Sequence, residues 1–158
     1  MYKIVLVPLD GSALAECTLS HVKNLFKDGS LGEVTLLNVV KVDLPWAMGG
    51  GDEGGPYTTP IDLNAIREPL FIASRKYLED IASRLASEGI KVKTESLEGN
   101  RPADTITEYA QKQGMDMIII GTHGHTGLKK LMLGSVAFAV LHQSHIPVLL
   151  IRPESCQA

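Results

Sequence analysis

The sequence predicts an α/β protein built on a doubly wound parallel sheet of five strands, with helices on both faces. Three observations carry that expectation. Residues 3–9, 33–40, 116–120 and 147–151 are short apolar runs, and the first reads as a strand buried on both faces. Segments with apolar residues at helical spacing stand between such runs, in the order βαβαβαβαβ, which implies parallel strands joined by crossover helices. Gly29, Gly89 and Gly114 each close one of those segments.

The first strand, 3–9, closes at Pro8 and Asp10. Ser12 can cap the next helix, which turns Ala15, Leu19, Val22 and Phe26 inward. The second strand is 33–40. Residues 41–61 include Gly49-Gly50-Gly51-Asp52-Glu53-Gly54-Gly55-Pro56 and are expected to form a flexible insert. Leu70, Ala73, Tyr77, Ile81 and Leu85 mark the inner face of a long helix; Pro69 either begins it or kinks a helix that starts near Asp62. Residues 90–97 alternate, Val92, Thr94 and Ser96 against Lys91, Lys93 and Glu95, which suits an edge strand. Pro102 opens a third helix with Ile106 and Ala110 inward. Strand 116–120 is the most apolar. A short helix from about Ser135 to Gln143 and a strand over 147–151 complete a single domain, expected over 1–158.

A chain of 158 residues can bury a core of its own. The net charge of −3, with scattered basic residues, argues against nucleic acid as a partner. No stretch approaches the length of a membrane span, and the N-terminal run lacks the h-region and cleavage site of a signal peptide. A cytoplasmic location is expected. Cys17 and Cys156 give no disulfide framework; the first is expected as a core thiol and the second as a solvent thiol in a polar tail.

The richest segment for function begins where the apolar run Met117-Ile118-Ile119-Ile120 meets Gly121-Thr122-His123-Gly124. Nine residues later come Gly134-Ser135 and a helical run. Glycine lets a backbone approach an anion closely, and the first N–H groups of a helix lack intrahelical partners and carry partial positive charge. The segment therefore points to a phosphorylated ligand. It is no Walker P-loop, since G-x-x-x-x-G-K-[ST] does not occur, and only Gly11 stands where a G-x-G-x-x-G fingerprint would follow the first strand.

The complete run Gly121-x2-Gly124-x9-Gly134-Ser135, together with Pro8-Leu9-Asp10, Leu133-Gly134-Ser135-Val136-Ala137 and Pro147-Val148-Leu149-Leu150, resembles the nucleotide-binding branch of the universal stress protein family over nearly the whole chain. That resemblance implies a Rossmann-like sheet of order 3-2-1-4-5 and a regulatory protein of the stress response that binds ATP, or AMP or ADP, with Mg²⁺ or Mn²⁺ held through the phosphates. It implies that Gly121 and Gly124 bring N–H groups toward ribose and phosphates. Gly134, Ser135 and Val136 would receive the outer phosphates, and Asp10 would lie near the ribose or the metal. The Val39 backbone would meet adenine, while Pro8 and Ile120 would line the nucleoside pocket. The last strand, 148–151, is too apolar to remain an uncovered edge and is expected to pair with its copy in a homodimer. Two alternatives remain: a slow metal-dependent ATPase using Asp10 and His123, and a binding module for another adenine nucleotide.

Other candidates have plainer readings. His123 and His125 flank Gly124 without nearby carboxylates or thiols to complete a metal set, so structural or phosphate-facing roles are preferred. Lys129 and Lys130 reach either the phosphates or solvent. Ser12 has no G-x-S-x-G elbow and is read as a helix cap. Asp52 and Glu53 are read as solvated charges, and Trp46 as a loop anchor or a stacking group. No arginine finger or water-positioning residue stands out, so no catalytic residue is assigned.

Overall fold

A computed structural model describes residues 1–43, 62–122 and 133–152. The elements are β1 (Tyr2–Pro8), α1 (Ala13–Lys27), β2 (Leu31–Val40), α2 (Leu63–Ser87), β3 (Lys91–Glu98), α3 (Pro102–Lys112), β4 (Met117–Gly121), α4 (Ser135–Gln143) and β5 (Val148–Ile151). They form one five-stranded sheet in the order β3-β2-β1-β4-β5, with every neighbouring pair parallel. The expected fold class and strand order are both found. Val5 stands opposite Val34 on one side and Met117 on the other, so β1 is the central strand.

Strand side chains alternate between two faces, and each face has its own core. Val5, Val7, Val34, Leu36 and Ile119 pack against Ala15, Leu19 and Val22 of α1 and Leu78, Ile81 and Leu85 of α2. Leu6, Leu37, Ile118 and Ile120 turn the other way, onto Ala103, Ile106 and Ala110 of α3 and Ala137 and Val140 of α4. The central strands β1 and β4 lack polar alternation because both their faces are covered, whereas the edge strand β3 alternates. Ser12 caps α1 as expected, its hydroxyl accepting from the Ala15 N–H at 3.0 Å.

The long helix departs from its expected face. It starts at Leu63 behind an Asp62 cap, so Pro69 lies inside it and does not begin it. Its buried residues are Ser74, Leu78, Ile81 and Leu85, whereas Leu70 is 39% exposed and Ala73 is exposed. The helix meets the core only from Ser74 onward, so the earlier turns do not set the buried phase. Cys17 also departs from its expected role: it is disulfide-bonded, not a free core thiol, and it sits half-buried against the α1–α2 side of the core. Cys156 lies outside the described residues, as do residues 44–61 of the expected insert. Among the described residues no helix is long and apolar enough to cross a membrane.

Candidate functional site

Strand order reverses between β1 and β4, since the crossover from β1 runs outward to β2 and the one from β4 outward to β5. Such a switch point opens a crevice beyond the strand C-termini. A cavity of about 570 Å³ lies there, within the size range of small-molecule sites. Its apolar wall is made by Leu37 and Val39 of β2, Pro102 and Ile106 of α3, and Ile120 of β4. Asp10, Thr122 and Ser135 bring polar groups to it. Lys41 brings a cation, exposed and 3.5 Å from the Asp43 carboxylate.

Pro8, Asp10, Val39, Ile120, Gly121, Gly134, Ser135 and Val136 all line this cavity, although they come from four elements and their flanking turns. Gly124 lies outside the described residues, as do His123, His125, Lys129, Lys130, Trp46, Asp52 and Glu53. Sequence reasoning missed Lys41, which reading two residues past Val39 would have found. It also missed Pro102 and Ile106 as wall residues; their local pattern speaks only of a helix start and a core position.

The α4 end of the cavity has a defined backbone. Gly134 is the N-cap of α4, with φ −61° and ψ 150° and no side-chain cap. Its N–H donates to the Thr122 carbonyl at 2.6 Å, and the Thr122 N–H donates to the Ile151 carbonyl at 2.8 Å. The ends of the segment between β4 and α4 are thereby held together and tied to β5. The Gly134 N–H is engaged, so the anion-receptive groups are the following amides of Ser135 and Val136, which have no carbonyl four residues back within the helix, together with the Ser135 hydroxyl.

At the other wall, Asp10 and Gly11 make the turn from β1 to α1. Asp10 Oδ1 accepts from the Ser12 N–H at 2.9 Å, an Asx turn, and Gly11 has φ +84°, where a side chain would be strained. Near this turn the Tyr77 hydroxyl is buried and has no hydrogen-bond partner among the described residues. Burial, reinforced by the nearby Glu16 and Asp10 carboxylates, pushes its pKa up to about 12. The Gly11 backbone opposes that shift, from a position that closes no hydrogen bond.

Asp10 is the lone carboxylate of the lining among the described residues. That composition suits a hydrated divalent ion held mainly by a ligand's phosphates, since Mg²⁺ keeps several waters and takes one or two carboxylates. Among the described residues no group of three or more His, Cys, Asp or Glu could hold a metal by itself.

These features define an α/β protein whose ligand-sized cavity sits at the switch point of a five-stranded parallel sheet. The chain belongs to the universal stress protein family, whose model matches residues 1–152. It is 35% identical to universal stress protein MJ0577 of Methanocaldococcus jannaschii, over 96% of each chain. The solved structure of MJ0577 superposes with a TM-score of 0.78 over 96% of each chain, at 34% identity. Two more distant structures share the fold: a universal stress protein in complex with cAMP (TM-score 0.60, 19% identity, 96% of this chain and 97% of that one) and an Arabidopsis thaliana family protein with AMP bound (TM-score 0.64, 17% identity, 95% and 91%).

Proposed function

We propose that this protein binds an adenine nucleotide, ATP with Mg²⁺ or Mn²⁺ carried on its phosphates, as a regulatory module of the stress response. The carrying observation is a cavity in which the apolar wall from β2 and α3 faces the uncapped N-terminus of α4. An aromatic base suits the wall, and an anion suits the amides. The AMP and cAMP complexes of relatives with this fold lend support at the level of ligand class.

In this reading Val39 meets the base with its backbone, Asp10 lies beside ribose or metal, and Gly121 and Gly124 bring N–H groups toward the ribose and phosphates. Ser135 and Val136 hold the outer phosphates. When bound, the metal neutralises phosphate charge; the protein's own groups orient the nucleotide and shield it from water. Binding, not turnover, is the expected activity. A homodimer through β5 belongs to the same reading, supported by an edge strand of Val148, Leu149 and Leu150 beside the exposed Phe138 and Leu141 of α4.

The test is a calorimetric titration of ATP and Mg²⁺ into the wild type and the Gly134→Val variant, alongside mass spectrometry of ligand released from denatured protein. Saturable binding lost in the variant supports the reading. Equal affinity in both proteins removes α4 from it.

A further inference from the structure

We propose that Asn38 is a positioning residue that stops the β1–β2 ladder one rung early and so keeps the Val39 backbone open to the ligand. The inference rests on the nucleotide reading above for its ligand, but not for its geometry.

The ladder between β1 and β2 pairs Pro8 with Leu37, and the Leu9 N–H then donates to the Leu37 carbonyl at 2.8 Å. In a parallel ladder the next rung would run from the Val39 N–H to the Leu9 carbonyl. That bond is not made. Asn38 Nδ2 takes the Leu9 carbonyl instead, at 2.8 Å. The Val40 carbonyl accepts from the Gly99 N–H on the β3 side, so alternation along the strand turns the N–H and C=O of Val39 toward the β1 side, where the cavity lies. A donor and an acceptor on one residue are thus left facing a wall that suits a base.

The amide of Asn38 is itself held. Its Oδ1 accepts from the Ser74 hydroxyl at 2.7 Å, and Ser74 Oγ lies 2.7 Å from Ser96 Oγ. Ser74 has one proton and gives it to Asn38, so Ser96 donates to Ser74. Ser74 is a buried residue of α2, and Ser96 lies on β3. The chain Ser96–Ser74–Asn38–Leu9 therefore ties the edge strand and the long helix to the residue before Asp10. It also fixes the orientation of the Asn38 amide, because only Nδ2 can donate to a carbonyl.

Asn38→Leu removes the donor at similar volume and lets the Leu9 carbonyl capture the Val39 N–H. The comparison is ATP against GTP, each with Mg²⁺, for the wild type, Asn38→Leu, Asn38→Gln and Ser74→Ala. Because one hydrogen bond is at stake, the preference for ATP over GTP should fall about tenfold in Asn38→Leu, less in Ser74→Ala, and least in Asn38→Gln, which retains an amide. A merely structural loss would lower both affinities together and leave the preference unchanged; that result, or an unchanged affinity for ATP, overturns the proposal. Should Asn38→Leu fail to fold, Ser74→Ala and Asn38→Gln decide by the same criterion. Should the wild type bind neither nucleotide, or show no preference, the nucleotide reading falls on its own account. Amide exchange at Val39 in the ligand-free proteins then decides the clamp: exchange slowed in the variants upholds it, and unchanged exchange overturns it.

Discussion

The Gly134 N–H and the Thr122 carbonyl meet at 2.6 Å, closing the base of the segment that joins β4 to α4. This bond gives Gly134 a role different from that of a phosphate donor. Its dihedrals, φ −61° and ψ 150°, are open to any residue, so the backbone does not demand a glycine at this place in the cavity lining. Gly134→Val is therefore expected to fold normally, with its melting temperature nearly unchanged, and to lose nucleotide affinity by about tenfold or more, because the side chain competes with the phosphates for the α4 amides. Parallel thermal melts and calorimetric titrations check both halves.

Gly32 makes the opposite kind of demand. A Cβ there would stand 2.6 Å from the backbone carbonyl oxygen of Lys3 on the neighbouring strand. Backbone cannot swing aside as a flexible side chain can. Gly32→Ala is expected to destabilise the fold by about 1–3 kcal/mol, the usual cost of overpacking, with no direct effect at the ligand wall. Urea unfolding measures it.

Tyr77 predicts an alkaline limit to stability. Its folded-state pKa of about 12 lies above the ordinary 10.0, so the folded protein holds the phenolic proton where the unfolded chain releases it. Stability is then lost as pH rises from about 10 toward 12. Tyr77→Phe should flatten that limb, and at neutral pH it should cost little, because the hydroxyl it removes has no partner among the described residues. Denaturation curves at several alkaline pH values test this.

Glu33 predicts a contribution on the acid side. Its carboxylate is hydrogen-bonded by Lys93 at 2.7 Å and Lys91 at 2.9 Å, and these two ammonium groups hold its pKa below the ordinary 4.5. A lowered folded-state pKa gives stability that is present above the unfolded value and is lost as pH falls through the folded one. Replacing both lysines with Ala should reduce the acid sensitivity of unfolding below about pH 4.5, and added salt should reduce it in the wild type.

The α4 surface carries the remaining prediction. Phe138 is 58% exposed and stacks on His142, so Phe138→Glu should leave the monomer fold intact. If α4 flanks a β5-to-β5 interface, the variant sediments as a monomer at concentrations where the wild type is a dimer. A wild-type monomer, or an unchanged dimer in the variant, removes this surface from the interface.

Much of the architecture was legible because burial on both faces leaves an unambiguous trace. The runs of β1 and β4 cannot be read as half-exposed strands, and the lysines of β3 mark an edge. The inner face of α2 was misplaced because its first turns project beyond the core, where apolar residues such as Leu63 and Ile72 obey no packing period. At the candidate site, Pro8, Gly121 and Ser135 were legible because each ends a strand or starts a helix at the switch point, and Asp10 because it lies in the turn that leaves β1. Asn38, Ser74 and Ser96 were not. Their meaning lies in hydrogen bonds between residues 22 to 36 positions apart, and nothing in the neighbourhood of any one of them announces the others.

The two borders of the sheet are unlike in kind. β3 presents Lys91, Lys93 and Glu98 to solvent, a charged fringe that resists another strand, whereas β5 offers four apolar residues. Among the described residues, the β5 border is therefore the better suited of the two to strand addition. In the proposed homodimer, a two-fold contact through β5 would occupy that border in both copies, so strand addition through it would stop at a pair.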